Sequence, residues 1–127
     1  MKRTRSLFKG ATVAAEHIAL ITKMYNKAPI SGLFNDHQYI SFDDEGNTTL
    51  KFIPRSEHCH TMRALHGSGY FKLLDDAAFF AAQAKEKENF ILTTSFNTCI
   101  MRPVQAGTAL IAKGTVVSNG KTLKVNS

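Results

Sequence analysis

Apolar residues recur every three or four positions between residues 11 and 26, the spacing of one face of an α-helix. Proline disfavours helical backbone in the residue before it, so Pro29 predicts that this helix ends before Ala28. The chain is therefore expected to begin its fold with an amphipathic helix. The side chains expected on the inner face are Val13, His17, Leu20, Ile21, Met24 and Tyr25.

Short strands are predicted after this helix. Residues 39–42 and 48–53 are rich in aromatic and β-branched side chains, and the polar run 43–47 between them (DDEGN) contains a glycine. This pattern predicts a β-hairpin. Residues 54–65 are expected to form an irregular loop.

A long second helix is predicted over residues 66–86. Its apolar positions follow the helical repeat, and three of them are alanines, which allow a helix to lie close to a sheet. Two adjacent aspartates, Asp75 and Asp76, interrupt the apolar run, although aspartate is unfavourable in a helix interior. The expected inner positions are Tyr70, Leu73, Leu74, Ala77, Ala78 and Ala81.

A strand pattern follows over residues 89–101. Apolar and polar side chains alternate there, which predicts one apolar face and one polar face. Cys99 lies in this pattern and is expected to be a buried thiol. The expected apolar positions are Phe90, Leu92, Phe96 and Ile100.

The last part of the chain predicts a second hairpin. Residues 107–118 form an apolar run, Asn119-Gly120 is a type I′ turn sequence, and a returning strand should start at Lys121. Because that strand is shorter than its partner, we expect the C-terminal strands to be truncated. The order of elements predicts a single α+β domain over residues 1–127.

The composition is that of an ordinary globular protein, and it adds a preference for polyanionic partners. Hydrophobic residues make up 43% of the chain, its net charge is +6, and residues 1–10 form a basic tail. No apolar run is long enough to span a membrane. Two cysteines without a disulfide pattern favour a reducing compartment, so we expect the protein to be cytoplasmic. Nucleic-acid binding is disfavoured, since no basic patch with interleaved aromatic residues is present.

The stretch HGSGYFKLLDDAAFFAA, followed by TTSFNTCIMRPVQAGT and VVSNGKTL, resembles the hotdog-fold acyl-CoA thioesterases, in particular the subfamily named for phenylacetate degradation. The resemblance covers residues 25–125. It implies a hotdog fold, in which an antiparallel sheet wraps around a long central helix. It also implies hydrolysis of an acyl-CoA thioester, with coenzyme A as part of the substrate and no other cofactor.

The resemblance also implies roles for five residues. Asp75, nine positions after His66, matches the catalytic carboxylate that acts as general base or nucleophile. The Gly67 N–H group matches the donor that polarises the thioester carbonyl, and Thr93 matches a serine that orients water. His60 stands where many members have asparagine.

In two respects the sequence departs from the family's motif. Ser68 replaces the second glycine of its His-Gly-Gly stretch, and His60 replaces the asparagine. In such enzymes Asp75 comes from one chain and His66 with Gly67 from its neighbour. The resemblance therefore implies a homodimer, commonly paired into a tetramer.

The helical neighbours of Asp75 and Asp76 indicate different roles for the two residues. Asp75 has a mostly apolar set of helical neighbours, whereas Asp76 lies one turn after Lys72 and is interpreted as its solvated partner. Thr93 has an alternative role in cross-strand hydrogen bonding.

Other candidate ligands are less specific. Arg102 and Lys121 are candidates for binding the phosphates of coenzyme A, or are ordinary surface cations. The sequence His58-Cys59-His60 lacks the further ligands of a metal site, so no metal is expected. A non-catalytic acyl-CoA or lipid-binding protein of the same fold is the alternative function, and it predicts binding without turnover.

Overall fold

The computed structural model of the protein describes residues 12–34, 38–118 and 122–126. A long helix packs on a four-stranded antiparallel sheet, and a shorter helix packs beside it. The elements are α1 (Ala15–Lys27), β1 (Gln38–Phe42), β2 (Thr48–Phe52), α2 (Gly67–Gln83), β3 (Leu110–Ser118) and β4 (Thr122–Asn126), with 3-10 helices at Pro29–Leu33 and Ser56–His58.

The sheet has the strand order β1-β2-β3-β4, and α2 lies in the connection between its two central strands. The predicted first hairpin is present and is closed by Asp43. The Asp43 carboxylate accepts the N–H groups of Glu45 and Asn47, each at 2.9 Å, and Gly46 supplies a backbone φ of +87°. The polar run DDEGN therefore fixes the turn, and the turn fixes the register Ile40 opposite Leu50.

The alanine face of α2 lets the helix approach the sheet closely. Ala77 is fully buried, and a Cβ built on Gly114 of β3 would lie 2.0 Å from the Ala77 carbonyl oxygen. Only glycine fits at this crossing. The core on either side consists of Ile21, Tyr25, Phe34, Leu50, Phe52, Leu65, Leu73, Ala77, Phe80, Ala84 and Ala112.

Helix α1 packs on the C-terminal part of α2. The Tyr25 and Phe80 rings meet edge to face at 5.5 Å, and Ile21 and His17 are buried one and two turns earlier, respectively. Leu20, expected on the inner face, is 53% exposed. The buried stripe of α1 is therefore narrower than the one predicted.

The predicted strand over residues 89–101 is wrong. The segment contains no strand, and within the described chain residues 92–101 make no hydrogen bond to another backbone group. Cys99 is exposed, which corrects the expectation of a buried thiol. Alternation of side chains predicted the local shape of a strand, but a strand also needs a neighbouring backbone.

Three predicted features lie outside the described residues. They are the basic tail over residues 1–10, the Asn119-Gly120 turn, and Lys121. The returning strand itself is present as β4, which pairs antiparallel with β3.

Candidate functional site

His66 caps the N-terminus of α2. Its Nδ1 accepts the Ser68 N–H at 3.0 Å, and its carbonyl accepts the Gly69 N–H at 2.9 Å. The Gly67 N–H, the first of the helix, has no acceptor in the described part of the chain and is exposed. His66 thus accepts the N–H groups of Ser68 and Gly69 and leaves the Gly67 N–H free to donate to a ligand at the helix end.

The two glycines of this helix end have different surroundings. A Cβ on Gly69 would lie 2.5 Å from Leu65 Cδ1, so the small size of Gly69 serves packing. A Cβ on Gly67 would meet nothing within 4 Å. Glycine at position 67 is therefore not required by the packing of this chain.

The structure brings the side chains of Asp75 and Thr93 into contact. The Thr93 hydroxyl donates to Asp75 Oδ1 at 2.8 Å, although the two residues lie on different segments. Asp75 is half-buried on α2, and Thr93 is exposed. The carboxylate accepts this bond and keeps its second oxygen available.

The segment that carries Thr93 runs antiparallel along α2. Phe90 packs against Phe79 with ring centres 5.4 Å apart, and Phe96 packs against Phe71 at 4.5 Å. Later residues of the segment thus contact earlier residues of the helix, with Thr93 between the two ring pairs. Several large apolar residues of this segment are largely exposed, among them Leu92 at 75% and Met101 at 86%.

Gly67 and Asp75 lie far apart within one chain. They are separated by eight residues of the same helix, which corresponds to about 12 Å along its axis at 1.5 Å per residue. A single thioester carbonyl cannot contact both groups of one chain.

His60 lies in an exposed turn rather than at the helix end. Its backbone N–H donates to Ala64 O at 2.9 Å, its Nδ1 accepts the Met62 N–H at 3.0 Å, and Arg63 has a φ of 68°. Cys59 and Leu65 pair antiparallel below this turn. The described hydrogen bonds do not join His60 to His66 or Gly67.

The neighbouring His58 has a structural role. Its Nδ1 accepts the Arg55 N–H and its Nε2 donates to Leu33 O, each at 2.9 Å, while its ring stacks on Phe34. Both ring nitrogens are occupied. The described residues contain no group of three or more potential metal ligands.

A cleft of about 600 Å³ adjoins the helix end. Its walls come from the 3-10 helix Pro29–Leu33, from the loop before α2 and from α2 itself. The residues that line it include Leu33, Phe34, Arg55, His58, Cys59, His66 and Ser68.

The interpretation of Asp76 as a solvated residue is wrong. Asp76 forms a salt bridge with Lys72, and their side chains are only 16% and 12% exposed. The Lys72 ammonium lies over the rings of Tyr25 and Phe34, 5.3 and 5.4 Å from their centres. Helical spacing showed that the two charges could pair, but the aromatic residues that bury the pair come from a distant part of the sequence.

Burial also changes the proton affinities around this ion pair. It raises the pKa of the Asp76 carboxyl above its ordinary value, against the opposing effect of the Lys72 charge. It raises the pKa of the Tyr25 hydroxyl as well, and the negative charge of Asp76 adds to that rise. The pair is therefore largely enclosed, beside the core residues Tyr25 and Phe34.

Arg102 is exposed, and its carbonyl accepts the Tyr70 hydroxyl at 3.0 Å. This bond fixes the Arg102 backbone beside α2 and leaves its guanidinium in solvent. Lys121, the other predicted phosphate ligand, lies outside the described residues.

Comparison with known proteins identifies the fold through structure rather than sequence. No protein-family model matches the chain, and no curated protein sequence matches it. The Escherichia coli PaaI protein, from the phenylacetic acid degradation operon, superimposes with a TM-score of 0.72 at 20% identity, over 88% of this chain and 83% of that one.

Two further structures give the same result. A phenylacetic acid degradation-related protein from Ralstonia eutropha has a TM-score of 0.69 at 18% identity, over 86% of this chain and 84% of that one. Zebrafish thioesterase superfamily member 2 has a TM-score of 0.69 at 14% identity, over 85% and 84%.

These likenesses confirm the predicted fold class. The protein has an α+β hotdog fold, with an antiparallel sheet around a long central helix. Among the described residues, no helix combines the length and hydropathy that crossing a lipid bilayer demands.

Proposed function

We propose that the protein hydrolyses an acyl-CoA thioester to a free acid and coenzyme A. The observation that supports this most directly is the hydrogen bond between the Thr93 hydroxyl and Asp75 Oδ1 at 2.8 Å. It gives a half-buried carboxylate a fixed orientation, which a general base requires. Three structural neighbours from different organisms bear names that connect them to thioester or phenylacetate chemistry.

In the proposed reaction, Asp75 takes a proton from water as the water oxygen attacks the thioester carbon. The carbonyl oxygen gains negative charge and is stabilised by the Gly67 N–H at the positive end of α2. The carbon–sulfur bond then breaks, and the thiolate of coenzyme A receives a proton. His66 supports this step by capping the helix without using the Gly67 N–H. His60 and the Arg102 and Lys121 cations would contact outer parts of the substrate.

The separation of the two groups within one chain supports a site shared by two subunits. Because Gly67 and Asp75 are about 12 Å apart along one helix, each carbonyl would need Asp75 of one copy and Gly67 of another. The segment that carries Thr93 has exposed apolar side chains suited to such a contact, with Leu92, Ile100 and Met101 exposed by 75%, 49% and 86%. We therefore propose a homodimer, which can pair further into a tetramer.

The carboxylate is tested with Asp75→Asn, which keeps the size of the side chain and removes the base. Release of free thiol is measured with short, long and aromatic acyl-CoA substrates. We expect kcat to fall by about 10²–10⁴-fold. Asp44→Asn, in the exposed turn of the first hairpin, is the matched control and should retain wild-type activity. Full activity of Asp75→Asn would exclude this mechanism, and coenzyme A binding without turnover by the wild type would favour the non-catalytic alternative.

The donor is tested with Gly67→Pro. Proline fits the first position of a helix, and His66 already has the extended backbone that precedes proline, with φ −65° and ψ 148°. The substitution therefore removes the N–H and leaves the helix intact. We expect a loss of about 10²–10³-fold in kcat with little change in thermal stability. Gly67→Ala keeps the N–H and should lose less activity.

The shared site is tested by mixing the two inactive variants. A mixed dimer of Asp75→Asn and Gly67→Pro subunits has one site with both groups intact and one site with neither. Half of randomly exchanged dimers are mixed, so roughly a quarter of wild-type activity should return. No recovery after confirmed subunit exchange would refute a site that combines Asp75 of one subunit with Gly67 of another.

A further inference from the structure

Gln83, the last residue of α2, is a buried polar residue with an exposed fraction of 4%. Its side-chain Nε2 donates to Glu86 O and to Asn89 O, both at 2.9 Å. Its Oε1 accepts the Ile91 N–H at 3.1 Å. Both the NH₂ group and the oxygen of this amide thus form hydrogen bonds with the backbone that follows α2.

Gln83 is itself held in place by the first helix. The His17 Nε2 donates to the Gln83 carbonyl at 2.9 Å, and this contact is buried. The Glu86 N–H donates to the same carbonyl at 3.1 Å. The position of the amide is therefore set by α1 and α2 together.

The next hydrogen bond along the chain is the proposed catalytic contact between Thr93 and Asp75. The bond from Ile91 N–H to Gln83 is followed two residues later by the bond from Thr93 to Asp75. Within the described chain, residues 92–101 make no backbone–backbone hydrogen bond. No sheet holds Thr93, so its position depends on where the segment leaves Gln83.

The aromatic contacts alone do not define the position of the hydroxyl. The Phe79–Phe90 and Phe71–Phe96 pairs hold the segment against α2 from either side of Thr93. Ring contacts tolerate sliding, whereas a hydrogen bond weakens steeply when its length or angle changes. The hydrogen bond that fixes the backbone nearest to Thr93 is the one from the Ile91 N–H to the Gln83 side chain.

We propose that Gln83 is a positioning residue for the hydrolytic site: by fixing the backbone at Ile91 it places the Thr93 hydroxyl on Asp75. The proposal rests on the proposed function only for its effect on catalysis. The placement of Thr93 is a structural consequence and can be measured without any substrate.

The substrate-free test uses Gln83→Met, which has a similar length and shape but cannot make the three bonds. Three-bond NMR couplings report the χ1 angle of Thr93. In the wild type we expect one rotamer, and in Gln83→Met an average over several. Val116→Ala, a core variant in β3 with no contact to this loop among the described hydrogen bonds, should lower stability and leave the rotamer unchanged.

The catalytic test is a double-mutant cycle with Thr93→Val. Each single variant should lower kcat by roughly tenfold, the effect of losing one hydrogen bond to a charged group, and leave KM nearly unchanged. The double variant should be no slower than Thr93→Val alone, since both changes remove one contact. If Gln83→Met fails to fold, Gln83→Asn, too short by one methylene to reach Ile91, replaces it with the same expectations.

Two results would overturn the proposal. The first is a single Thr93 rotamer that persists in the Gln83 variant although the Ile91 amide exchanges faster with solvent. The second is a double variant whose losses multiply. An inactive wild type whose Thr93 rotamer still responds to Gln83 would refute the hydrolase and leave the positioning role standing.

Discussion

Removing one partner of the Lys72–Asp76 ion pair should destabilise the fold far more than removing both. The pair lies on α2 with the Lys72 ammonium over the Tyr25 and Phe34 rings, and the Lys72 and Asp76 side chains are 12% and 16% exposed. A buried charge that loses its partner keeps its desolvation cost without compensation. Two apolar residues of similar volume have no such cost. The variants are Lys72→Met, Asp76→Leu and the double replacement.

The magnitudes follow from the depth of burial. Breaking a fully buried ion pair costs about 3–5 kcal/mol, and the small remaining exposure of both side chains places these variants near the lower limit. We expect each single variant to lose roughly 3 kcal/mol of unfolding free energy. The Lys72→Met loss should be the smaller one, because a carboxyl can take up a proton and become neutral. The double variant should lie within about 1 kcal/mol of the wild type.

The assay is urea unfolding followed by circular dichroism, at one fixed protein concentration because the protein is proposed to dimerise. The decisive quantity is the coupling between the two changes, which should exceed the loss of either single variant. Losses below about 1 kcal/mol that simply add are typical of a surface pair. That result would refute the buried placement and restore the interpretation suggested by the sequence.

The same pair predicts a dependence on pH. Because burial raises the folded-state pKa of Asp76, the folded protein holds that proton more tightly than the unfolded chain does. The resulting stabilisation is complete below the ordinary aspartate pKa of about 4 and is lost as the pH rises through the raised value. The difference in unfolding free energy between the wild type and Asp76→Leu should therefore fall across this window, and a difference that rises would contradict the sign.

Three other predictions concern the helix and its ends. Gly114→Ala places a methyl against the Ala77 carbonyl and should cost roughly 2–3 kcal/mol, measured by urea unfolding; a neutral result would mean that α2 does not pack on β3 as described. His66→Ala removes the bond to the Ser68 N–H and should cost about 1 kcal/mol, whereas His66→Asn restores a capping acceptor and should recover most of it. The Glu86 carboxylate accepts two backbone N–H groups, which lowers its pKa, so that its stabilising effect is present above the ordinary value of about 4 and lost as the pH falls through the lowered one. The protection factors of those two amides, which correct for the intrinsic pH dependence of exchange, should fall in acid, and this fall should be absent from Glu86→Gln.

Local patterns predicted most of the elements because the physical causes of these elements are local. The apolar repeat of α2, the proline after α1 and the polar turn of the first hairpin each act within a few residues. The contact between Asp75 and Thr93 was not predicted, because nothing in either local sequence specifies it and the resemblance implied only a separate role for each residue. The role of Gln83 was not predicted for the same reason. A glutamine at the end of a helix is ordinary, and only the folded backbone after α2 provides its side-chain amide with three hydrogen-bond partners.

The error over residues 89–101 has a different cause. Alternating side chains favour an extended backbone, but hydrogen bonding to a neighbouring strand depends on elements elsewhere. In the described chain that neighbour is absent, so the apolar positions Leu92 and Ile100 are exposed rather than buried. The same exposure makes this segment the surface on which a second subunit is proposed.

The two adjacent aspartates have different environments because successive residues of a helix point about 100° apart. That rotation turns Asp75 toward the returning segment, where it accepts the Thr93 hydroxyl, and Asp76 toward Lys72 and the rings of α1 and its loop. A carboxylate with one hydrogen bond and an accessible second oxygen can exchange a proton with water. A carboxylate that is paired with an ammonium group and enclosed beside two aromatic rings is not open to a substrate or to its attacking water. Asp75→Asn should therefore remove activity at little cost in stability, and changes at Asp76 should act on stability first. A pair of variants with these effects reversed would contradict the assignment of the base.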